Sequence, residues 1–97
     1  MKRDDVLKIL HDNQKYLAEK YQISYLAVFG SVARDEARID SDVDLLVKFN
    51  EPIGLFKFIE LQQHLEKLLG CKVDLGTTRS IKPHLKASVF QEAIRVT

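Results

Sequence analysis

A strand-length apolar run, Tyr25-Leu-Ala-Val-Phe29, ends abruptly at Gly30-Ser31, and after ten intervening residues a second apolar run opens with Asp42-Val-Asp44. This junction limits the folds open to the chain. Glycine lets the backbone turn sharply and come close to a ligand, and the first amides of a following helical stretch are left without intrahelical partners, so the turn is suited to an anion. On a strand, residues two apart share a face, which puts the Asp42 and Asp44 carboxylates side by side. An anion turn next to paired carboxylates points to a metal-bound nucleotide.

The 97 residues are 45% hydrophobic and 30% charged, which predicts one globular domain with a modest core and leaves no room for a second. Fifteen basic residues against fourteen acidic ones give a formal charge of +1, so no overall field draws the chain to a nucleic acid or an anionic membrane. The expectation is therefore no membrane association and no direct nucleic acid binding. The start, Met1-Lys-Arg-Asp-Asp, leads into amphipathic sequence and no eighteen apolar residues run together, which makes a soluble cytoplasmic protein the expected setting. Cys71, the single cysteine, excludes an internal disulfide and a multi-cysteine zinc site, and its strand-like surroundings suit a small core residue.

Val6, Ile9, Leu10, Leu17 and Tyr21 recur at helical spacing, predicting one helix over about 4–21. Residues 24–29 read as a strand buried on both faces, and Ser31 to about Ala37 as a helix. Ile39-Asp-Ser-Asp42 supplies turn chemistry, and Val43–Phe49 forms the next strand. A helix over about 55–69 follows, closed by Gly70, and then a strand over 71–76 with Cys71, Val73 and Leu75 on one face and Lys72 and Asp74 on the other. Pro83 suits the first turn of a last helix, whose Leu85, Val89, Phe90, Ala93 and Ile94 give it a broad apolar surface. The order α-β-α-β-α-β-α predicts an α/β (α+β) domain, with a small mixed three-stranded sheet flanked by four helices.

Magnesium takes oxygen ligands and is usually held by one or two carboxylates plus water and phosphate, a role open to Asp42 and Asp44. A two-ion site calls for a further acid, and Asp74 is the candidate on the neighbouring strand, where it would also orient an acceptor hydroxyl or take its proton. Gly30 and Ser31 would grip the phosphates. Arg34, one turn on, either reaches a phosphate oxygen or pairs with a surface acid such as Asp35 or Asp40. Taken singly, these acids also suit a turn, a cap or an exposed strand face; it is their combination that suggests chemistry. His11, His64 and His84 lie on separate helices without ligand spacing, and Arg79, Lys82 and Lys86 form either a solvated basic face or a phosphate contact.

The segments Gly30-Ser-Val-Ala-Arg34, Asp42-Val-Asp44 and Val73-Asp74-Leu75 together resemble the signature of the DNA polymerase beta-like nucleotidyltransferase superfamily, and within it the minimal nucleotidyltransferases. The resemblance extends over the order of helices and strands along essentially the whole chain. It implies transfer of a nucleoside monophosphate to a hydroxyl with two Mg²⁺ ions, with Asp42, Asp44 and Asp74 as the metal-binding catalytic triad and Gly30 with Ser31 at the phosphates. Many such proteins resemble the antitoxin of a pair whose toxin is a HEPN-domain ribonuclease. That likeness implies ATP as donor and a toxin tyrosine as AMP acceptor, and the broad apolar surface of the last helix is the expected docking face for such a protein. The competing expectation is a binding antitoxin that neutralises its partner by complex formation without turnover; transfer to an RNA end or a small hydroxylated compound is a third. Two departures stand out: Asp35 replaces a glycine common among relatives, and Leu-Gly-Thr follows Asp74 in place of a more apolar run.

Overall fold

The computed structural model describes residues 2–38 and 40–97. Two helices, α1 (Arg3–Asp12) and α2 (Gln14–Tyr21), lead into β1 (Ile23–Phe29) and the single-turn α3 (Gly30–Ala33). β2 (Val43–Phe49), α4 (Leu55–Leu69) and β3 (Val73–Thr77) follow. The chain then makes two 3₁₀ turns, Thr78–Ser80 and Pro83–Leu85, before α5 (Lys86–Glu92) and a short β4 (Ile94–Arg95). The strands form one mixed sheet in the order β3-β2-β1-β4, with β1 antiparallel to both β2 and β4 and β2 parallel to β3.

One face of the sheet carries the main core. Val6 and Leu10 of α1, Leu17 and Tyr21 of α2, and Leu61, Leu65 and Leu69 of α4 are buried with Leu26, Val28, Val43, Leu45, Val47, Val73 and Leu75 of the strands. Each side chain of this size removed from water contributes about 1.5–3 kcal/mol, so this layer supplies most of the stabilisation. The opposite face keeps only Ala27 and Leu46 fully covered and otherwise presents the Asp44 and Lys48 side of β2. β1 is thus buried on both faces along Leu26, Ala27 and Val28, as its unbroken apolar run predicts.

Four features differ from the sequence-based expectation. The first helix is two helices, because the Asn13 side chain donates to the Ile9 carbonyl at 2.8 Å and competes with the backbone ladder. α3 stops at Ala33 instead of reaching Ala37, because Asp35 takes a left-handed φ of 59° that ends the turn. The last helix starts at Lys86, after a 3₁₀ turn opened by Pro83, and ends before Ala93. Its apolar surface is correspondingly narrower than expected. The sheet has a fourth strand: Ile94 and Arg95 pair with Val28 and Ala27, and the Val96 amide donates to the Leu26 carbonyl at 2.7 Å. This tail covers what would otherwise be an open edge of the central strand. Ile39, at the head of the expected turn, lies outside the described residues.

The left-handed backbone at Asp35 explains why glycine suits that position: a Cβ there is strained, and aspartate is among the few residues that tolerate it. Asp35→Gly is expected to raise stability by up to about 1 kcal/mol, read as a higher thermal midpoint. An unchanged or lower midpoint would show that the Asp35 side chain returns as much as its backbone costs.

Candidate active site

The β1–β2 register sets Phe29 opposite Asp44, so the turn at Gly30 closes directly over the Asp44 carboxylate. A Cβ on Gly30 would stand 2.3 Å from Asp44 Oδ2, and the Gly30 φ is +72°. Only glycine meets both demands. The turn is tightened by the Arg34 amide on the Gly30 carbonyl at 3.2 Å and the Glu36 amide on the Ser31 carbonyl at 2.8 Å. Ser31 is half-buried beside it.

β2 and β3 run parallel with Asp44 directly opposite Asp74, so their side chains leave the same face of the sheet. Asp42 stands two residues ahead of Asp44 at the mouth of β2. The three acids converge at one end of the face not covered by α1, α2 and α4. Two local devices hold them there. Ser41 closes the preceding loop, its hydroxyl accepting from the Arg38 amide at 2.9 Å and its amide donating to the Arg38 carbonyl at 3.0 Å. Beside Asp74, the outward backbone of Val73 is satisfied by α4: Glu66 Oε2 accepts from its amide at 3.1 Å, and Gln62 Nε2 donates to its carbonyl at 3.1 Å. Sequence reasoning missed Gln62 and Glu66. Their spacing of four on a helix was the available signal, but nothing local named the strand they serve.

Charge crowding is greatest at Asp44. Burial first, then the neighbouring Asp74 and Asp42 carboxylates, push its carboxyl above the usual carboxylate range, and the Arg34 guanidinium opposes the rise. The closeness of the Asp74 carboxyl to that of Asp44 adds to it. Arg34 is not free for a ligand in this arrangement. Its Nε donates to Glu36 at 3.1 Å and its Nη1 to Glu92 of α5. Of the alternatives in the sequence, pairing with surface acids is the one seen, although the acids are Glu36 and Glu92 and not Asp35 or Asp40.

The donor set is all carboxylate oxygen, crowded enough to raise one acid and facing solvent, which fits a hard divalent cation such as Mg²⁺. Among the described residues, however, no three acidic, histidine or cysteine side chains form a ready-made metal cluster. For these three aspartates to share an ion they would have to draw closer together. Cys71 is half-buried against the core, with its thiol pushed up chiefly by burial, and the histidines stay apart from the acids. An apolar cavity of about 450 Å³ between the end of β2 and the start of α4 is lined by residues such as Phe49, Ile53, Leu55 and Phe58 and lies at the other end of the strands from the acids.

The glycine-serine turn, Asp42 and Asp44 at the start of β2, and Asp74 beside them on a parallel strand are the features the sequence suggested for nucleotidyl transfer. Residues 13–96 match the nucleotidyltransferase domain family, and the chain belongs to it. It is 43% identical over 93 residues to the protein adenylyltransferase MntA of Thermococcus cleftensis, covering 96% of this chain and 94% of that protein. A solved structure described as a candidate minimal nucleotidyltransferase superposes with a TM-score of 0.82 at 40% identity, over 97% of this chain and 95% of its own. More distantly, at 20% identity, the fold superposes with a TM-score of 0.66 on a chain from a complex of a tri-AMPylated Shewanella oneidensis HEPN toxin with its MNT antitoxin, covering 94% of this chain and 71% of that one. That last match bears on fold alone.

Two outcomes test this geometry. Gly30→Ala meets both the 2.3 Å approach to Asp44 and the left-handed backbone, and is expected to cost about 1–3 kcal/mol and to abolish activity. A folded, active variant would show that the turn does not press on Asp44. Because folding raises the Asp44 pKa, its ionisation removes stability as pH climbs through the carboxylate range. In metal-free buffer, Asp44→Asn is therefore expected to melt a few degrees above the wild type at neutral pH and to converge with it in acid. A difference that grows in acid would contradict the assigned repulsion.

Proposed function

We propose that this nucleotidyltransferase transfers AMP from ATP to a hydroxyl, by preference a tyrosine, on a cognate HEPN-domain toxin, and so acts as its antitoxin in the cytoplasm. The observation that carries the reading is the in-register pair Asp44 and Asp74, with Asp42 at the same mouth, under a glycine that leaves room for nothing larger. The protein adenylyltransferase name of the Thermococcus relative supports AMP as the transferred group. The toxin complexes among more distant folds support a HEPN partner.

Asp42 and Asp44, with Asp74 as the third ligand, would hold two Mg²⁺ ions. Such ions supply neutralisation of the triphosphate and acidification of the acceptor hydroxyl. Asp74, in register with Asp44 on the neighbouring strand, would orient that hydroxyl and accept its proton. Gly30 lets the turn approach the phosphates, and Ser31 adds a hydroxyl donor there. Arg34 would contact a phosphate only after leaving Glu36 or Glu92.

A second reading, neutralisation by binding alone, draws on a different observation. Phe56 is 88% exposed and Leu55 70% at the start of α4, with Ile59 a turn further on. Exposed apolar side chains clustered in this way are costly unless something covers them. This surface lies at the far end of β2 from the acids, so it could engage a partner whether or not transfer occurs.

The deciding experiment incubates the purified chain with the helical product of the adjoining reading frame, ATP and Mg²⁺, and reads the partner's mass. AMP increments are expected with the wild type and a loss of at least about 100-fold in rate with Asp42→Asn or Asp44→Asn. Equal suppression of the toxin by all three proteins, with no added mass, would leave binding as the mechanism.

A further inference from the structure

Residues 75–91 carry Arg79, Lys82, His84 and Lys86 and not one Asp or Glu. The whole chain has a formal charge of only +1, so the remainder is net acidic and the positive potential is local to this end of the molecule. Among the described residues, none of Arg79, Lys82 and Lys86 makes an ion pair, and neither does Lys48 of β2. Strand alternation puts Lys48 on the same face as Asp44, and the β1–β2 register sets Tyr25 opposite it. Lys86 and Phe90, four apart on α5, line a cavity of about 500 Å³ together with Tyr25, Lys48 and Arg95 among others.

The cations of this cavity are not alike. Arg95 is committed: its guanidinium lies over the Tyr25 ring at 5.1 Å, its Nε donates to the Thr97 carbonyl, and its Nη2 donates to the Ser24 carbonyl at 3.4 Å. It forms a wall. Lys48 and Lys86 are exposed, and no carboxylate lines the cavity they share. Apolar surface adjoins them: Phe90 is 40% exposed and Leu85, next to Lys86, 44%, and α5 has no buried residue. Unpaired cations beside apolar side chains left in water suit a ligand that is both acidic and partly apolar.

The form of that ligand follows from the surroundings. A nucleic acid carries a charge at every phosphate and stacks its bases on free aromatic faces. Here the Tyr25 ring already holds Arg95 and meets Phe90 edge-on at 5.9 Å between centroids. A continuing phosphate backbone would also run toward Asp44, about 13 Å along the same face. A helix lying on a lipid surface separates its apolar face from its lysines, whereas Phe90 and Lys86 share one. A short protein segment with carboxylates beside an apolar side chain meets none of these obstacles.

We propose that this end of α5, with Lys48, is the docking site for an acidic segment of the partner protein. Its carboxylates enter the cavity at Lys48 and Lys86, and an apolar side chain beside them packs on Phe90 and Leu85. The inference rests on the transfer reading only in taking that partner to be the acceptor, which, held about 13 Å from Asp44, lies within reach of the acids.

The test measures docking with ATP and metal left out. A fluorescein-labelled helical peptide of about fourteen residues, with leucines at helical spacing flanked by glutamates, is compared with its glutamine counterpart at low ionic strength. The wild type is expected to bind the glutamate peptide at least about ten-fold more tightly, a preference that salt screens. Lys48→Ala/Lys86→Ala is expected to lose it. Lys15→Ala/Lys67→Ala, which removes the same charge from exposed positions on helices of the other face, is expected to keep it. Phe90→Ala should weaken both peptides alike. In the partner-mass assay, Lys48→Ala/Lys86→Ala should raise KM for the partner at least about ten-fold with kcat near normal. Equal binding of the two peptides, equal loss in the two double variants, undiminished binding by Phe90→Ala or an unchanged KM overturns the site. So does tighter binding of oligouridine, or of phosphatidylglycerol vesicles, than of the glutamate peptide through the same two lysines. Should the peptides behave as expected while the wild type transfers nothing, the docking site stands and only the transfer reading fails.

Discussion

The approach of Gly30 to the Asp44 carboxylate is the constraint around which the rest is arranged. It exists because β1 and β2 are paired so that Phe29 faces Asp44, and that pairing is held by residues buried on both faces of β1. A one-residue slip would turn Asp44 toward the helices and Leu45 toward solvent, exchanging a buried leucine for a buried charge. The hydrophobic core therefore guards the register, and the register places the acids. Stability and chemistry are linked through strand pairing, although no side chain belongs to both.

The acid cluster itself works against folding. Burial and the neighbouring Asp74 and Asp42 carboxylates raise Asp44, and the nearby Arg34 is engaged by Glu36 and Glu92. The proposed divalent cation would offset this repulsion. The anchoring of Val73 by Gln62 and Glu66 has the same logic. It fixes the strand beside a carboxylate that its neighbours repel.

Much of this was legible in the sequence where the signal is local. Val43–Phe49 and Leu55–Leu69 stand where composition and the Gly70 cap placed them, and the alternation from Cys71 to Leu75 put Asp74 on the face it occupies. What was not legible depends on partners far along the chain. Ile94 and Arg95 continue an apolar pattern that reads as helix, and only the vacant edge of β1 makes them a strand. The short Arg34-to-Glu92 pairing spans 58 residues and leaves no trace in either segment. The Asn13 break and the early end of α3 at Asp35 were local but were decided by single side chains and dihedrals, which periodicity does not weigh. The three acids meet on one face; their individual roles as ligand or base are a matter for the variants.

The Arg34 pairing with Glu92 carries one more implication. Glu92 ends α5, whose Phe90 meets Tyr25 of β1, so the guanidinium joins the turn after β1 to the last helix. If a triphosphate claimed Arg34 at the expense of Glu92, the free energy of docking α5 would enter the affinity for the nucleotide. By thermodynamic reciprocity, whatever a bound partner does to steady or lift α5 must be repaid in the opposite direction at the turn. In that case one ion pair would link occupancy at the glycine to the posture of the last helix.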